Sequence, residues 1–373
     1  MTPTLQPIRI GLIGVGGQTE YVHYPAFKTA RSARVVAMTD SNPELLKRRV
    51  GEWATRRNEI AAYTDPFEIF AHDGLDAVVI CTPNNTHAPL ALAAFRAGKH
   101  VLCEKPLALT LAEAKKILRA AQDARVRHMT AFTYRFVPAM QYLKHLVIRG
   151  DLGEPRHFRA QRFQDWPDTS LGWRQWRSTA GTGELGDMAS HRIDYGRFLL
   201  GEITRVCGAM KQFLPRDRDA AGNRVRPADT DDWCSFIGEF ACGATGVWES
   251  TKLARGHSTG GRGHDFVEIN GAEASAIYEL RHPYCLLIGK RGGSFKIVPV
   301  PRKFLKRPKS LRKVGAGDPT RVWRYDQEVE FIEAIREGRD ASPSFADGLA
   351  AQSVIEAVLQ SVKQRRWIDI PQD

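Results

Sequence analysis

The stretch Ile8-Arg9-Ile10-Gly11-Leu12-Ile13-Gly14-Val15-Gly16-Gly17-Gln18-Thr19 reads as an apolar strand running straight into a glycine turn. Glycines between a strand and a helix leave backbone N–H groups open to a phosphate, with no Cβ in the way and the helix dipole favouring negative charge. Gly14, Gly16, Gly17 and Gln18 are therefore expected at a dinucleotide pyrophosphate. Thr19 stands where the pattern has its third glycine, a departure expected to loosen the packing of helix on strand. Asp40 follows the second strand, Arg34 to Thr39, 26 residues after Gly14. A carboxylate there accepts hydrogen bonds from ribose hydroxyls and repels a 2′-phosphate. No arginine stands directly behind it to compensate, so NAD is expected rather than NADP. On these residues alone, a glycine turn in another doubly wound domain, with Asp40 as a helix cap, stays open.

Outward from this turn, the chain as far as residue 130 alternates short apolar runs with longer amphipathic ones, the pattern of a parallel sheet with crossover helices. Ile8–Ile13, Arg34–Thr39, Ala77–Cys81 and His100–Cys103 read as strands, nearly continuous in apolar residues because both faces are covered. Pro43–Trp53 behind an Asn42 cap, His87–Ala97 ending at Gly98, and Leu111–Ala124 opened by a Thr110/Glu113 capping box read as helices. From Met129 onward, glycine-rich turns and alternating strands predict an antiparallel sheet with helices on one face. Strands are expected at His157–Phe163, Ile203–Phe213, Asp232–Phe240, Thr245–Thr251, Asp265–Asn270, Ala274–Leu280 and Cys285–Ile288. A hairpin turn is expected at Asn270-Gly271, and closing helices at Arg324–Glu337 and Phe345–Lys363. The expected architecture is an α/β Rossmann domain over residues 1–128, then an α+β domain over 129–373 with a large, mostly antiparallel open sheet.

Composition narrows the class. With 43% hydrophobic and 26% charged residues, a chain of 373 residues is an ordinary globular one, long enough for two cores. No apolar run approaches the ~20 residues that cross a bilayer, and Met1 to Pro7 is polar, so a cytoplasmic protein with no membrane contact is expected. Six scattered cysteines without a CxxC pair are expected as buried free thiols of a reducing compartment. The net charge of +12 raises the question of an anionic partner. Residues 301–313 carry seven basic side chains and no acid, but Pro301 and Pro308 argue against a basic recognition helix. A solvated loop is expected there, and no nucleic-acid partner.

The chemistry-bearing residues follow two later strands. Thr82-Pro83-Asn84-Asn85-Thr86-His87 lies beyond the carboxyl end of one strand and Glu104-Lys105-Pro106 beyond the next, where open α/β sheets bind ligands. Downstream, Gly181-Thr182-Gly183-Glu184-Leu185-Gly186-Asp187-Met188-Ala189-Ser190-His191-Arg192-Ile193-Asp194 reads as a helix entered through a glycine turn and ended at Gly201. Asp187, His191 and Asp194, four and three apart, are expected on one helical face. The alternative for this segment alone is a set of surface ion pairs with Arg192 or Arg197. His and Asp at this spacing could also hold zinc or manganese, but hydride transfer needs no metal where a cation and an imidazole manage the alcohol proton.

Taken together, Glu104-Lys105-Pro106 and the Asp187–Asp194 segment resemble the Gfo/Idh/MocA oxidoreductases, with the resemblance running from about Ile8 to Ile370. It implies that Lys105 is catalytic and followed by a cis proline. With it, Asp187 and His191 complete the catalytic set: His191 as first choice of general base, Lys105 stabilising charge on the substrate oxygen, Asp187 orienting the pair, and Lys105 as base staying open. Gly14, Gly16, Gly17, Gln18, Asp40, Thr82, Pro83, Asn84, His87, Glu104, Lys105 and Arg135 are expected at NAD. Lys105, Tyr134, Gln164, Trp166, Trp173, Asp187, His191 and Asp194 are expected at the substrate, and no residue at a metal. Three tryptophans among arginines and amides between Gln164 and Arg177 suit a pyranose or inositol ring, and the segment is similar to family members that oxidise levoglucosan, inositols or glycosides. A sugar, anhydrosugar, glycoside or inositol is thus the expected substrate class, and a homodimer or homotetramer the expected assembly. Two other readings stay open: a redox-neutral, glycoside-cleaving enzyme that retains NAD, and a non-catalytic dinucleotide-binding regulator.

Overall fold

A computed structural model describes residues 6–29, 32–56, 58–219, 221–258 and 263–371, so the polar opening Met1–Leu5 lies outside it. The chain divides into two compact units. The first comprises the residues up to Phe132 together with Arg307–Lys313 and Arg324–Leu349; the second comprises Thr133–Lys306, Val314–Trp323 and the chain from Ala350.

The first unit is built on six parallel strands: β1 Ile8–Ile13, β2 Ala33–Thr39, β3 Ala61–Tyr63, β4 Ala77–Ile80, β5 His100–Cys103 and β6 His128–Thr130. Their order is β3-β2-β1-β4-β5-β6, all paired in parallel. The order reverses between β1 and β4, and at such a switch point the loops leaving the two strands diverge and open a crevice. Crossover helices α1 Tyr24–Thr29, α2 Pro43–Trp53, α3 His87–Arg96 and α4 Leu111–Asp123 cover the sheet. The Asn42 cap and the reciprocal Thr110/Glu113 capping box are both present. The core is aliphatic, from Ile13 and Val36 through Val78 and Ile80 to Val101 and Ile117.

The second unit begins with α5 Pro138–Ile148, β7 Pro155–Phe163, α6 Arg177–Ala180 and α7 Ser190–Leu200. It continues with β8 Ile203–Lys211, β9 Trp233–Phe240, β10 Thr245–Thr251, β11 His264–Gly271, β12 Ala274–Glu279, β13 Cys285–Lys290 and β14 Lys296–Pro299. α8 Asp326–Glu337 belongs to the first unit; after α9 Phe345–Gln364, β15 Ile368–Asp369 joins the nine-stranded sheet. Nine strands pair in the order β14-β13-β12-β11-β7-β10-β9-β8-β15, antiparallel throughout except for β7 with β10. Trp248 is stacked on Phe236 at 4.9 Å and buried with Phe158 beneath this sheet.

Four local expectations change. Asn270-Gly271 is not the hairpin turn: Asn270 still pairs with Ser275, and the chain reverses at Ala272-Glu273. Gly271 is needed because a Cβ there would meet Leu152 O at 2.0 Å. The single cut after residue 128 gives way to a boundary at Phe132, with two late segments returned to the first unit. The basic segment is not simply solvated. Arg307 pairs with Glu330, Lys309 with Glu333 and Glu337, and Arg312 with Asp326, so the acidic side of α8 meets three of its seven cations. Finally, of the six thiols only Cys103 and Cys234 are buried, and Cys242 in the β9–β10 turn is exposed. Among the described residues no helix is long and apolar enough to cross a membrane.

Candidate active site

The glycine turn has the geometry its sequence demands. Gly14 has φ +88°, and a Cβ on it would lie 2.3 Å from Cys81 O, so glycine is required there by both conformation and space. A Cβ on Gly16 would meet nothing within 4 Å; that side of the turn is open. Thr19, in the place of the third glycine, is buried and its hydroxyl donates to Gly14 O at 2.6 Å. The expected loosening is thus met by a hydrogen bond and by a π-helical turn over Thr19–His23, whose wider winding admits a side chain. Asp40 accepts from Val15 N–H at 2.8 Å and Asn42 N–H at 2.9 Å, holding the turn against the end of β2; the helix cap itself is Asn42.

Beyond β4 and β5 the two polar loops are joined. The ring nitrogens of buried His87 face Pro106 O at 2.9 Å and Thr82 O at 3.0 Å, so the ring bridges the two loops; burial lowers its pKa against the opposing pull of those two carbonyls. Thr86 donates to Thr82 Oγ1 at 2.6 Å, and Asn84 is buried in the short helix capped by Pro83. The Lys105–Pro106 bond is cis. Glu104 accepts from Lys105 N–H at 3.2 Å and from Gln18 Nε2 at 3.1 Å. Its Oε1 also lies 3.2 Å from His23 Nε2, while His23 Nδ1 lies 2.7 Å from Glu328 Oε1. Burial would lower the His23 pKa, but hydrogen bonds with Cys81, Glu104 and Glu328 raise it well above 6.5.

In the second unit, α7 is entered through a π-helical turn, Leu185–Ala189, and ends at Gly201 with φ 92°. Asp187 therefore sits in the π turn, out of the 3.6-residue register that would align it with His191. It pairs with Arg174 at 3.3 Å, whose guanidinium lies 4.3 Å from the Trp173 ring centroid. Buried His191 packs edge-on against Tyr134 at 4.6 Å. Asp194 is also buried and accepts from Arg135 at 2.5, 2.9 and 3.1 Å. Two residues expected at different ligands, Arg135 at NAD and Asp194 at substrate, are thus bonded to each other. Of the two arginines in the ion-pair alternative for this helix, Arg192 pairs with Asp265 and Arg197 with Glu202. Gln164 and Trp166 are tied by their N–H groups to Thr251 O and Lys252 O, and the buried Trp166 Nε1 has no hydrogen-bond partner among the described residues.

Residues 8–132 match the family described as "Oxidoreductase family, NAD-binding Rossmann fold", and residues 140–277 match the "GFO/IDH/MocA C-terminal domain". The chain belongs to the Gfo/Idh/MocA family. This Gfo/Idh/MocA protein is 33% identical to levoglucosan dehydrogenase of Pseudarthrobacter phenanthrenivorans, covering 99% of each chain. It is 29% identical to inositol 2-dehydrogenase of Rhizobium meliloti over 97% of this chain and 99% of that one. A solved levoglucosan dehydrogenase in complex with NADH and levoglucosan superposes with TM-score 0.89 at 31% identity, over 98% of this chain and 100% of that chain. The protein is accordingly an NAD-dependent oxidoreductase, of the type that includes sugar and inositol dehydrogenases.

The residues present fit NAD as the family requires. The open side at Gly16 is a cradle that a Cβ would fill, and Asp40 stands behind β2, accepting from the turn at Val15 N–H. Arg49, missed in the sequence, does reach the turn, 3.4 Å from Val15 O, but is paired with Glu20 at 2.5 Å and Glu52 at 2.7 Å. Three further residues of this Gfo/Idh/MocA chain escaped the sequence reading. His23 carried a faint signal, a histidine on the inner side of the first helix; Glu328 carried none, lying 305 residues away. Glu184 is fully buried, accepts from Ser250 at 2.6 Å, and is pushed up to about 7 by burial and the charge of Asp187.

Proposed function

We propose that this chain oxidises a ring hydroxyl of a sugar, anhydrosugar or inositol with NAD. The observation that carries the reading is the Glu104-Lys105-Pro106 turn at the carboxyl end of β5, in a family whose relatives are named levoglucosan and inositol dehydrogenases. NAD, when bound, supplies the hydride acceptor. Gly14, Gly16 and Gly17 present backbone N–H groups to its pyrophosphate, and Asp40 receives the ribose hydroxyls. Lys105 donates to the substrate oxygen and stabilises its developing negative charge. His191, its ring fixed by Tyr134, takes the hydroxyl proton. Asp187 steadies the proton-transfer pair. Arg135 and Asp194 act together, their buried ion pair fixing α7 to the segment that carries Tyr134. Trp166 and Trp173 offer aromatic faces and an indole N–H to the ring and its hydroxyls. A homo-oligomer in the cytoplasm completes the proposal.

The test is a panel of inositols, aldoses, anhydrosugars and glycosides with NAD or NADP, followed at the absorbance of reduced cofactor, for the wild type and Lys105→Ala. Turnover with NAD on a ring polyol is expected, with Lys105→Ala lowering kcat by at least about a hundredfold while NADH still binds. Full activity in Lys105→Ala removes lysine from the mechanism. Glycoside cleavage with bound NAD and no net absorbance change would replace the dehydrogenase reading with a redox-neutral one.

A further inference from the structure

The first unit contains a buried chain of charged groups that the proposed mechanism does not use. His23 comes from the π turn after the glycines, Glu104 from the end of β5, and Glu328 from α8. The ring nitrogens of His23 are each engaged by a carboxylate oxygen, Glu328 Oε1 at 2.7 Å and Glu104 Oε1 at 3.2 Å, and the His23 and Glu328 side chains have no exposed surface. A neutral imidazole has one N–H and can donate to only one of two carboxylates, leaving its bare nitrogen facing the other. A ring bonded on both sides is therefore an imidazolium, and it is the counter-charge for two carboxylates removed from water. Glu104, held at Oε1 by His23, turns Oε2 towards Lys105 N–H. Burial would raise the Glu104 pKa, but His23 and Lys105 hold it below 4.5, so it stays an acceptor.

We propose that His23 is a positioning residue for Lys105, acting through Glu104 as the centre of a Glu328–His23–Glu104 chain. The inference rests on the catalytic assignment of Lys105. The titratable groups facing His23 are Cys81 from the end of β4, Glu104 from β5 and Glu328 from α8, with Lys105 next along the chain. Without the cation, Glu104 loses the bond that orients it, and the lysine loses both a fixed backbone and a neighbouring positive charge. His23, Cys81 and Glu104 also bring three possible ligand atoms within 4.8 Å of one another, a donor set that zinc accepts. A metal ligand must offer a bare nitrogen, and here both are spent on carboxylates.

The test compares His23→Gln, Glu328→Gln and Lys105→Ala in the full chain by NADH dissociation constant, kcat and KM across pH. His23→Gln is expected to bind NADH as the wild type does while kcat falls roughly tenfold to a hundredfold, the cost of a misplaced group. The kcat–pH profile of His23→Gln departs from that of the wild type, because a buried cation next to the catalytic turn has been removed. Glu328→Gln, which takes one carboxylate from the His23 ring, lowers kcat by less. An unchanged kcat and pH profile in His23→Gln overturns the proposal, as does parallel loss of NADH binding and kcat, which is the mark of a damaged fold. Full activity in Lys105→Ala instead removes the reading on which it rests. Should the variants not fold, nitrogen-15 spectra of histidine-labelled wild type decide: a ring protonated on both nitrogens above pH 6.5 is expected. A bare nitrogen there, or stoichiometric zinc in the purified protein, overturns it.

Discussion

Glu184 shows how a single buried side chain makes stability depend on pH. Its carboxyl is displaced from 4.5 to about 7 by burial and by Asp187, so the folded protein holds a proton that the unfolded chain releases. Between those two values the unfolded state is the one that gains from rising pH, and the stability this group contributes falls as pH climbs from 4.5 to about 7, then levels off. The displacement corresponds to on the order of 3 kcal/mol. Glu184→Gln keeps an oxygen for Ser250 but has no proton to lose. Urea midpoints of the two proteins are therefore expected to diverge in favour of Glu184→Gln across that window, and parallel curves would show that Glu184 ionises normally. Nothing in the sequence distinguishes this glutamate from others; the burial that raises its pKa is a product of the fold, and Ser250 and Lys252, which oppose the shift, come from far along the chain. Lys105, by contrast, was legible because its neighbours in sequence are its motif.

At the scale of elements, the strands of the first sheet were readable almost to the residue because burial on both faces leaves an unbroken apolar run, as in Ala77–Ile80. The three-residue β3 and β6 were not, since so few residues carry no periodicity. The two π turns were invisible for a related reason: a helix is recognised by a 3.6-residue spacing, and both Thr19–His23 and Leu185–Ala189 break it where site residues stand. Asp187 and His191 were expected one above the other on that spacing. The glycine turn allows conformation and ligand contact to be separated. Gly14→Ala places a Cβ 2.3 Å from Cys81 O at a φ of +88° and is expected to lower the melting temperature by several degrees. Gly16→Ala meets no protein atom within 4 Å, so its melting temperature is expected to stay within about a degree while NADH affinity drops. Equal melting temperatures for the two variants would contradict this division.

Over the whole molecule, part of the net charge of +12 is met by internal ion pairs. The densest basic segment meets α8, and Asp326 is the innermost contact: nearly inaccessible, it accepts from Arg312 at 2.8 and 3.3 Å and from Ser310 at 2.5 Å. Asp326→Ala strands the Arg312 guanidinium in the interior and is expected to cost roughly 3 to 5 kcal/mol in denaturant unfolding. A loss below about 1 kcal/mol would mean that the pair is solvated. Charge counts could not reveal this partnership, because sequence gives the number of cations in residues 301–313 and not the helix that meets them. The same late segments have a consequence for the order in which the protein is made. When Phe132 leaves the ribosome all six strands of the first sheet exist, yet Glu328, which completes the bond to His23, and Ser344, whose carbonyl receives the Thr130 hydroxyl at 3.0 Å, have not been synthesised. The amino-terminal fold is therefore begun first and finished late: its nascent sheet must wait, with a buried histidine still missing one carboxylate, until translation has passed through the entire second sheet as far as β14.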